Sequence, residues 1–264
     1  PRTLALKRQP DFLALIDEAE DFVGRHGSGP RGTVRIIAPT SFGRRCLAPA
    51  LTAFQADHPQ IEFEVDLSDS RVDIIRHGYD VAIGFGGRGD DGMLTRQLAS
   101  CPRILCASPG YLDEAGRPAR PGELAVHQCL AEGDRELWQL VCADESEDLQ
   151  VRSAIRSNSA DFIRESILGG AGIGLWPLWD VDHDLAVGRL EVVLPEYRAS
   201  RDASLVARTP CHDVLPARVG LLLDFLVGEF AGRFERPEAA ARRPADSPKN
   251  GSGRPQVTAA QIAI

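Results

Sequence analysis

Between positions 32 and 85, segments with the spacing of β-strands alternate with segments in which apolar residues have helical spacing. Apolar runs at 34–38 and 80–85 are typical of buried parallel strands, and strict alternation with Glu and Asp at 61–67 predicts a strand with one wet face. The stretch after the first strand has helical spacing, with Thr40 or Ser41 as its capping residue. Strands that alternate with helices in this way predict a parallel sheet.

As far as position 234, the sequence continues to predict strands that alternate with helices, with weaker periodicity. Several predicted helices begin after a residue that caps helices and end at glycine. The predicted strands are 103–107, 149–156, 173–176, 190–194 and 204–208, and the predicted helices are a short one capped by 68–70, one from Pro109, one capped by Asn158 and ending at Leu168, one at 177–188 and one at 216–234.

Both ends of the chain differ in pattern from this body. Residues 11–23 have an apolar stripe at helical spacing and predict an amphipathic helix, and the glycines and proline of 24–32 predict a linker. Residues 236–264 contain four prolines and no aromatic residue, so we expect a disordered tail. The folded unit is therefore expected to span 32–235.

Composition and charge narrow the class of protein. The chain has 264 residues, 43% of them hydrophobic, and it contains neither a run of about 18 apolar residues nor the apolar core of a secretory signal near its first residue, so we expect a soluble cytoplasmic protein. The first 31 residues are neutral overall and the last 29 carry three more basic than acidic groups, which leaves a net charge of -11 on the body. A body this acidic repels phosphate backbones, so direct nucleic-acid binding by it is not expected.

The sequence contains no metal-binding or catalytic motif of the usual spacing. None of the six cysteines forms a C-x-x-C pair, which favours buried thiols over a zinc site. Asp182, His183 and Asp184 are adjacent, so on a helix they point in different directions and favour a solvated face. We expect no metal, no cofactor and no enzymatic activity.

Two glycine-rich segments formally approach a dinucleotide-binding fingerprint. Residues 84–89 match G-x-G-x-x-G, but Asp90 and Asp91 follow where the pyrophosphate would sit. Residues 169–174 fail because Leu175 stands where the last glycine belongs. Neither segment supports nucleotide binding.

Two predicted helix starts favour a different chemistry. Thr40-Ser41 and Ser157-Asn158-Ser159 each follow a strand directly, which places hydroxyl, amide and free backbone N–H groups where open parallel sheets bind anions and small polar ligands. Ordinary capping explains either site alone. One such site in each half of the chain favours a cleft between two lobes.

Several segments of the sequence resemble those of one protein family and occur in the same order as in that family. They resemble the effector-binding (regulatory) domain of LysR-type transcriptional regulators over about 12–230. The matching stretches are 29–40 (GPRGTVRIIAPT), 47–51 (LAPAL) with Phe54 and 57–59, 78–83 (GYDVAI), 107–112 (ASPGYL), Asn158, 169–174 (GGAGIG), Pro177 and 188–195 (GRLEVVLP).

The resemblance implies an α/β fold of two lobes, similar to periplasmic binding proteins of type 2, in which each lobe is a mixed, mostly parallel sheet flanked by helices. Lobe I would comprise about 32–107 and 209–235, and lobe II about 108–208. The chain would cross between lobes near 106–108 and 208–210. A small effector would bind in the cleft, at positions that match Thr40, Ser41, Phe42, Gly84, Phe85 and Asn158.

Three further residues come from their chemistry rather than from the resemblance. Trp138 and Trp176 carry large amphipathic rings that either pack on a ligand or fill the core. Arg88 either pairs with an anionic effector or lies on a surface loop.

The resemblance also implies partners. We expect a homodimer that contacts DNA only through a helix-turn-helix domain, and this sequence contains no such domain; residues 1–28 resemble the remnant of the linker and dimerisation helix. A stand-alone solute-binding protein of a transporter is the alternative, and no membrane association is expected.

Overall fold

The computed structural model describes residues 29–70, 73–86, 93–132, 137–143, 145–199, 204–211 and 215–234. The predicted helix at 11–23, Arg88 and the expected tail lie outside these residues. Within them, the chain is an α/β protein with three sheets.

Lobe I is built on one five-stranded sheet. Its strands are β1 Gly32–Ala38, β2 Ile61–Leu67, β3 Val81–Phe85, β4 Met93–Ser100 and β13 Ser204–Pro210. They lie in the order β2-β1-β3-β13-β4. The strands β1 and β2 pair in parallel, as do β1 and β3, which confirms the parallel sheet predicted from strands that alternate with helices. The last two strands join by antiparallel pairing.

The helical segment Thr40–Asp57 follows β1 and covers lobe I. It begins as α1 (Thr40–Phe42), continues as a π-helix (Gly43–Leu47) and ends as α2 (Ala48–Asp57). A π-helix adds one residue to a turn and therefore reorients the side chains that it carries. The other helices of this lobe are α3 (Ile74–His77) and α7 (Ala217–Phe230).

Lobe II contains a mixed sheet and a smaller antiparallel sheet. The strand bounds are β5 Arg103–Ala107, β6 Cys129–Glu132, β7 Leu137–Cys142, β8 Glu145–Gln150, β9 Ser153–Ser157, β10 Ile173–Pro177, β11 Glu191–Val193 and β12 Arg198–Ala199. The mixed sheet has the order β11-β5-β10-β6-β9, and the antiparallel sheet has the order β12-β7-β8. The predicted strand 149–156 is therefore two strands in different sheets.

The helices of lobe II lie on its two faces. They are α4 (Pro109–Ala115), a 3₁₀ helix (Pro121–Val126), α5 (Ala160–Leu168) and α6 (Leu178–Ala186). Ser108 caps α4 by accepting from the Tyr111 N–H at 3.4 Å. One apolar cluster packs on each side of the mixed sheet, because successive residues of a strand point to opposite faces: Leu105 belongs to one cluster and Ile104 to the other.

The sheet order corrects two expectations. The first crossing lies between β4 and β5, near Cys101 and Pro102, and the second lies between β12 and β13; both precede the expected positions of 106–108 and 208–210. The antiparallel share is also larger than expected, because β13 returns to lobe I antiparallel to β3 and β10 pairs antiparallel to β5.

The glycine-rich segment 169–174 has a packing role. A Cβ on Gly172 would lie 2.4 Å from the backbone oxygen of Gln128, which accepts a hydrogen bond from Ile173 N at 2.9 Å. A Cβ on Gly174 would meet the side chain of Ile167. Both glycines therefore permit β10 to approach its neighbours closely.

Candidate functional site

The helix that begins at Thr40 is capped from outside its own sequence. Pro39 occupies the capping position and offers no side-chain hydrogen bond. The Thr40 N–H instead donates to Oδ1 of Asp69 at 2.8 Å, and Asp69 lies in the loop after β2. The expectation that Thr40 or Ser41 caps this helix is therefore wrong. Ser41 is buried at 4% exposure, so its hydroxyl does not lie open to solvent.

The start of α5 in lobe II lies against the same carboxylate. Ser159, not Asn158, caps this helix: its Oγ accepts from the Phe162 N–H at 3.4 Å, whereas Asn158 lies one position before the cap. The Ala160 N–H donates to Oδ2 of Asp69 at 3.4 Å. The two helix starts that the sequence singled out are thus brought together where the lobes meet, with Asp69 between them.

The π-helix of lobe I adds ion pairs to this interface between the lobes. The guanidinium of Arg44 lies 3.1 Å from a carboxylate oxygen of Asp161 on α5. The guanidinium of Arg45 pairs with the carboxylate of Asp180 on α6 and lies 3.3 Å from its backbone oxygen. Three carboxylates, from both lobes, therefore hold the Thr40–Leu47 segment against lobe II.

Asp180 is a buried carboxylate that contacts both lobes, and its side chain is 2% exposed. Its second oxygen accepts from the Trp176 indole N–H at 2.8 Å. Burial raises the pKa of Asp180, against the lowering effects of the Trp176 hydrogen bond, Arg45 and Arg164. The Arg164 side chain also pairs with the fully buried Asp184. Buried charges of this kind are costly unless they are paired and hydrogen-bonded.

Aromatic rings form the apolar part of the interface. Phe42 is fully buried in the core of lobe I, and its ring meets Phe85 edge-on with centroids 5.7 Å apart. Trp179 of α6 reaches across from lobe II and meets Phe42 edge-on at 5.6 Å. Phe42 and Phe85 therefore contact the other lobe through Trp179.

The two tryptophans chosen from the sequence lie inside lobe II. Trp138 is 4% exposed in the cluster on the α4 side of the sheet, and Trp176 is 2% exposed in the cluster beneath α5 and α6. Core packing is thus the correct interpretation for both. The tryptophan that lies between the lobes is Trp179, which no pattern in the sequence distinguishes from the other two.

Gly84 lies at the end of β3 beside Arg208 of β13. A Cβ on Gly84 would be 3.3 Å from a guanidinium nitrogen of Arg208, whose side chain donates to the backbone oxygen of Gly86. The arginine occupies the space next to the glycine. Of the 84–89 fingerprint, only the first three residues lie within the described ranges.

In the described part of the chain, no three His, Cys, Asp or Glu side chains are grouped so as to hold a metal ion. No helix in the same residues has the length and apolar character needed to cross a bilayer.

Comparison with known proteins gives a consistent result. The LysR substrate binding domain model matches residues 27–231. The chain is similar to the HTH-type transcriptional regulator DmlR of Escherichia coli K12 (34% identity over 228 residues, 85% of this chain and 72% of that protein) and to the HTH-type transcriptional activator TtdR of the same strain (30% over 238 residues, 89% and 75%).

A solved structure agrees with the sequence matches. The regulatory domain of CrgA, a LysR-type transcriptional regulator from Neisseria meningitidis, superposes with a TM-score of 0.67 at 27% identity and covers 76% of this chain and 100% of that one. The likeness therefore extends over the whole of a known regulatory domain.

Proposed function

Since the chain belongs to the LysR substrate-binding domain family, we propose that it is the effector-sensing part of a LysR-type transcriptional regulator. Residues 32–235 act as one effector-binding domain, and a small effector binds between the lobes without being chemically changed. The observation that carries this proposal is that two helix starts from different lobes, at Thr40 and Ala160, meet at one carboxylate, that of Asp69. Helix N-termini offer backbone N–H donors and a partial positive charge to such a ligand.

The effector acts by shifting the population of closed and open lobes. A ligand moves such an equilibrium only if it binds one arrangement more tightly than the other. An effector that binds between the lobes meets this condition, because the contacts that it makes with both lobes change when one lobe moves relative to the other. Thr40, Ser41, Phe42, Gly84, Phe85 and Asn158 remain the proposed effector-binding positions, and Ala160 and Trp179 join them.

The part of the protein that responds to this change in lobe position lies outside the effector domain. We propose that the protein works in the cytoplasm as a homodimer, and that a helix-turn-helix domain, rather than residues 27–231, contacts DNA. The acidic charge of the body supports this division, since residues 32–235 carry a net charge of -11 and repel phosphates.

A melting-temperature screen against a library of small metabolites tests the proposal. A ligand at a hundred times its Kd stabilises a folded protein by about 2.7 kcal/mol, which a melting scan resolves. We expect at least one compound to raise the Tm, and calorimetry to give a single site per chain. A library in which no compound binds would contradict the proposal.

Proline substitutions locate the site by removing one backbone N–H at a time. Thr40→Pro and Ala160→Pro place proline at the first residue of a helix, where it is tolerated. The preceding residues, Pro39 (ψ 142°) and Ser159 (ψ 115°), already have the extended backbone that proline requires. Both variants are expected to weaken effector binding at least tenfold. Asp73→Ala, which alters the cap of α3 inside lobe I, is the control and should bind normally.

A further inference from the structure

Asp69 makes contacts that an ordinary helix cap does not make. A capping side chain accepts from an N–H two or three residues later in its own helix, as Asp73 does with Arg76 at 3.1 Å. Asp69 instead accepts from Thr40, 29 positions earlier, and from Ala160, 91 positions later and in the other lobe. Its carboxylate thus links two helices that are far apart in the sequence and lie in different lobes.

We propose that Asp69 is a built-in ligand that latches the two lobes: its carboxylate occupies the helix-start amides of Thr40 and Ala160 and holds the cleft closed until an effector displaces it. This inference rests on the proposed effector function and specifies how the same site is regulated. The helices concerned are long enough to present a dipole, since the segment from Thr40 is helical to Asp57 and α5 has nine residues.

The surroundings of Asp69 support a latch rather than a fixed core contact. Asp69 is half-buried and lies in the short loop after the edge strand β2, so its release need not disrupt the core of lobe I. The neighbouring pair of Arg44 with Asp161 is also accessible to solvent on the arginine side, with 61% of that side chain exposed. Ion pairs that are accessible to solvent contribute little to stability, so breaking this one costs little free energy.

The chemistry of the latch specifies the class of competitor. The two amides are hydrogen-bond donors at the positive ends of helices, and the group that they hold is a carboxylate. A competing effector group must therefore be a compact oxyanion with two acceptor atoms. The binding of such a group displaces Asp69 into solvent and removes one link between the lobes.

Chemical rescue tests this assignment directly. Asp69→Ala keeps the Cβ and deletes the carboxylate, and formate has the size of the deleted group. We expect Asp69→Ala to melt below the wild type, and sodium formate at saturating concentration to restore at least half of the lost Tm. Formamide, which is neutral and has the same shape, and sodium chloride at equal ionic strength should restore less than a quarter. Equal responses of Asp69→Ala and wild type to formate would overturn the proposal.

The amide variants show whether formate acts at the latch. In the double variants Asp69→Ala/Thr40→Pro and Asp69→Ala/Ala160→Pro, one of the two N–H donors is missing, so the formate rescue should fall by more than half. A full rescue in both double variants would overturn the assignment, because formate would then be binding elsewhere.

Tryptophan fluorescence provides a readout of the lobes themselves. Trp179 lies between the lobes, whereas Trp138 and Trp176 are inside lobe II. We expect Asp69→Ala to double the acrylamide quenching constant and formate to reverse the change, while Asp73→Ala leaves it at the wild-type value. If Asp69→Ala does not fold, Asp69→Asn, which keeps the shape and loses the charge, should show increased quenching. Wild-type quenching in the folded Asp69 variant would overturn the latch.

The outcomes separate the latch from the effector function. If a metabolite binds the wild type and loses affinity in Thr40→Pro, yet Asp69→Ala shows no formate rescue, the latch is wrong and the effector function stands. If Asp69→Ala is rescued but no library compound binds either protein, the latch stands and the effector function fails.

Discussion

Trp179 of lobe II and Phe85 of lobe I stack on one another, with ring centroids 5.9 Å apart and planes inclined by 14°. The same indole contacts Phe42 edge-on at 5.6 Å and Phe234 at 6.1 Å. Because the rings come from both lobes, this cluster couples the apolar core of lobe I to the position of α6. Relative motion of the lobes must change these contacts.

Trp179→Ala is expected to destabilise the protein. The substitution removes a large ring from three aromatic contacts, and truncation of a core aromatic costs about 3–5 kcal/mol when the ring is fully buried. Trp179 is partly buried, so we expect a loss of about 2–3 kcal/mol in the free energy of unfolding, measured by urea denaturation. Trp179→Phe keeps a ring and should lose less than about 1.5 kcal/mol. A loss below about 0.5 kcal/mol in Trp179→Ala would show that the cluster does not stabilise the closed arrangement.

Arg45→Ala is expected to weaken the protein more than Arg44→Ala. Arg45 pairs with the buried carboxylate of Asp180, and loss of one partner from a fully buried pair costs about 3–5 kcal/mol. Since 36% of the Arg45 side chain is exposed and Arg164 still faces Asp180, we expect about 1–2 kcal/mol. Arg44 is 61% exposed and its loss should cost less than about 0.5 kcal/mol. Equal losses in urea denaturation would contradict the role assigned to Asp180.

The raised pKa of Asp180 predicts a specific pH dependence. Burial raises this pKa above the usual 3.8, so the folded state binds the proton more tightly than the unfolded state does. The resulting stabilisation is complete below the unfolded pKa and is lost as pH rises through the folded pKa. The difference in unfolding free energy between wild type and Asp180→Asn should therefore fall as pH rises from about 4, and then level off.

Arg45→Ala provides the control for this pH dependence. Arg45 lowers the pKa of Asp180, so its removal should move the levelling-off to a higher pH. Asp161, whose charge also raises the pKa of Asp180, is present in every variant. A difference that stays flat from about pH 4 to about pH 8 would mean that Asp180 is not shifted by burial.

The sequence predicted the order of elements better than it predicted their connections. The apolar runs at 34–38 and 80–85 correctly indicated neighbouring parallel strands, because a strand buried on both faces leaves a continuous signal. The same signal at Arg103–Ala107 does not show to which sheet that strand belongs. The expected crossing therefore follows this strand, whereas the observed crossing precedes it. The alternation of 149–156 predicts a single strand because it continues through the break at Val151 and Arg152.

The candidate site shows a similar limit. Local patterns located both helix starts, at Thr40 and near Asn158, yet the carboxylate that joins them comes from Asp69, and contacts over 29 and 91 positions leave no local pattern. In the sequence, Ser68, Asp69 and Ser70 indicated only a cap for the next helix, which Asp73 provides. Trp176 and Trp179 are close together in the sequence, across a strand end and a helix start, and composition cannot tell which ring faces the other lobe.

The cysteines are expected to differ sharply in reactivity. Burial raises the pKa of Cys101, Cys106 and Cys129 to about 12 and that of Cys46 to about 11, whereas Cys211 is exposed. The thiolate is the reactive form, so the four buried thiols should resist alkylation at about pH 8. Iodoacetamide followed by mass spectrometry of peptides should label Cys211 first and these four only after addition of urea. Labelling of Cys101 in the native protein as fast as Cys211 would show that lobe opening exposes it.

Gly172→Ala is expected to disrupt the packing of β10, whereas Gly110→Ala should be neutral. The new Cβ at position 172 would lie 2.4 Å from the Gln128 backbone oxygen, and backbone cannot rotate away as a flexible side chain can. The backbone there, with φ of 154°, is also one that residues other than glycine rarely adopt. We expect a loss of about 2–3 kcal/mol in unfolding free energy. At Gly110, in the first turn of α4, no atom lies within 4 Å of an added Cβ, so the change should stay within about 0.5 kcal/mol. Equal urea midpoints for the two variants would show that the chain at 172 relaxes around the methyl group, and that the glycine-rich segment 169–174 is not needed for this strand to pack.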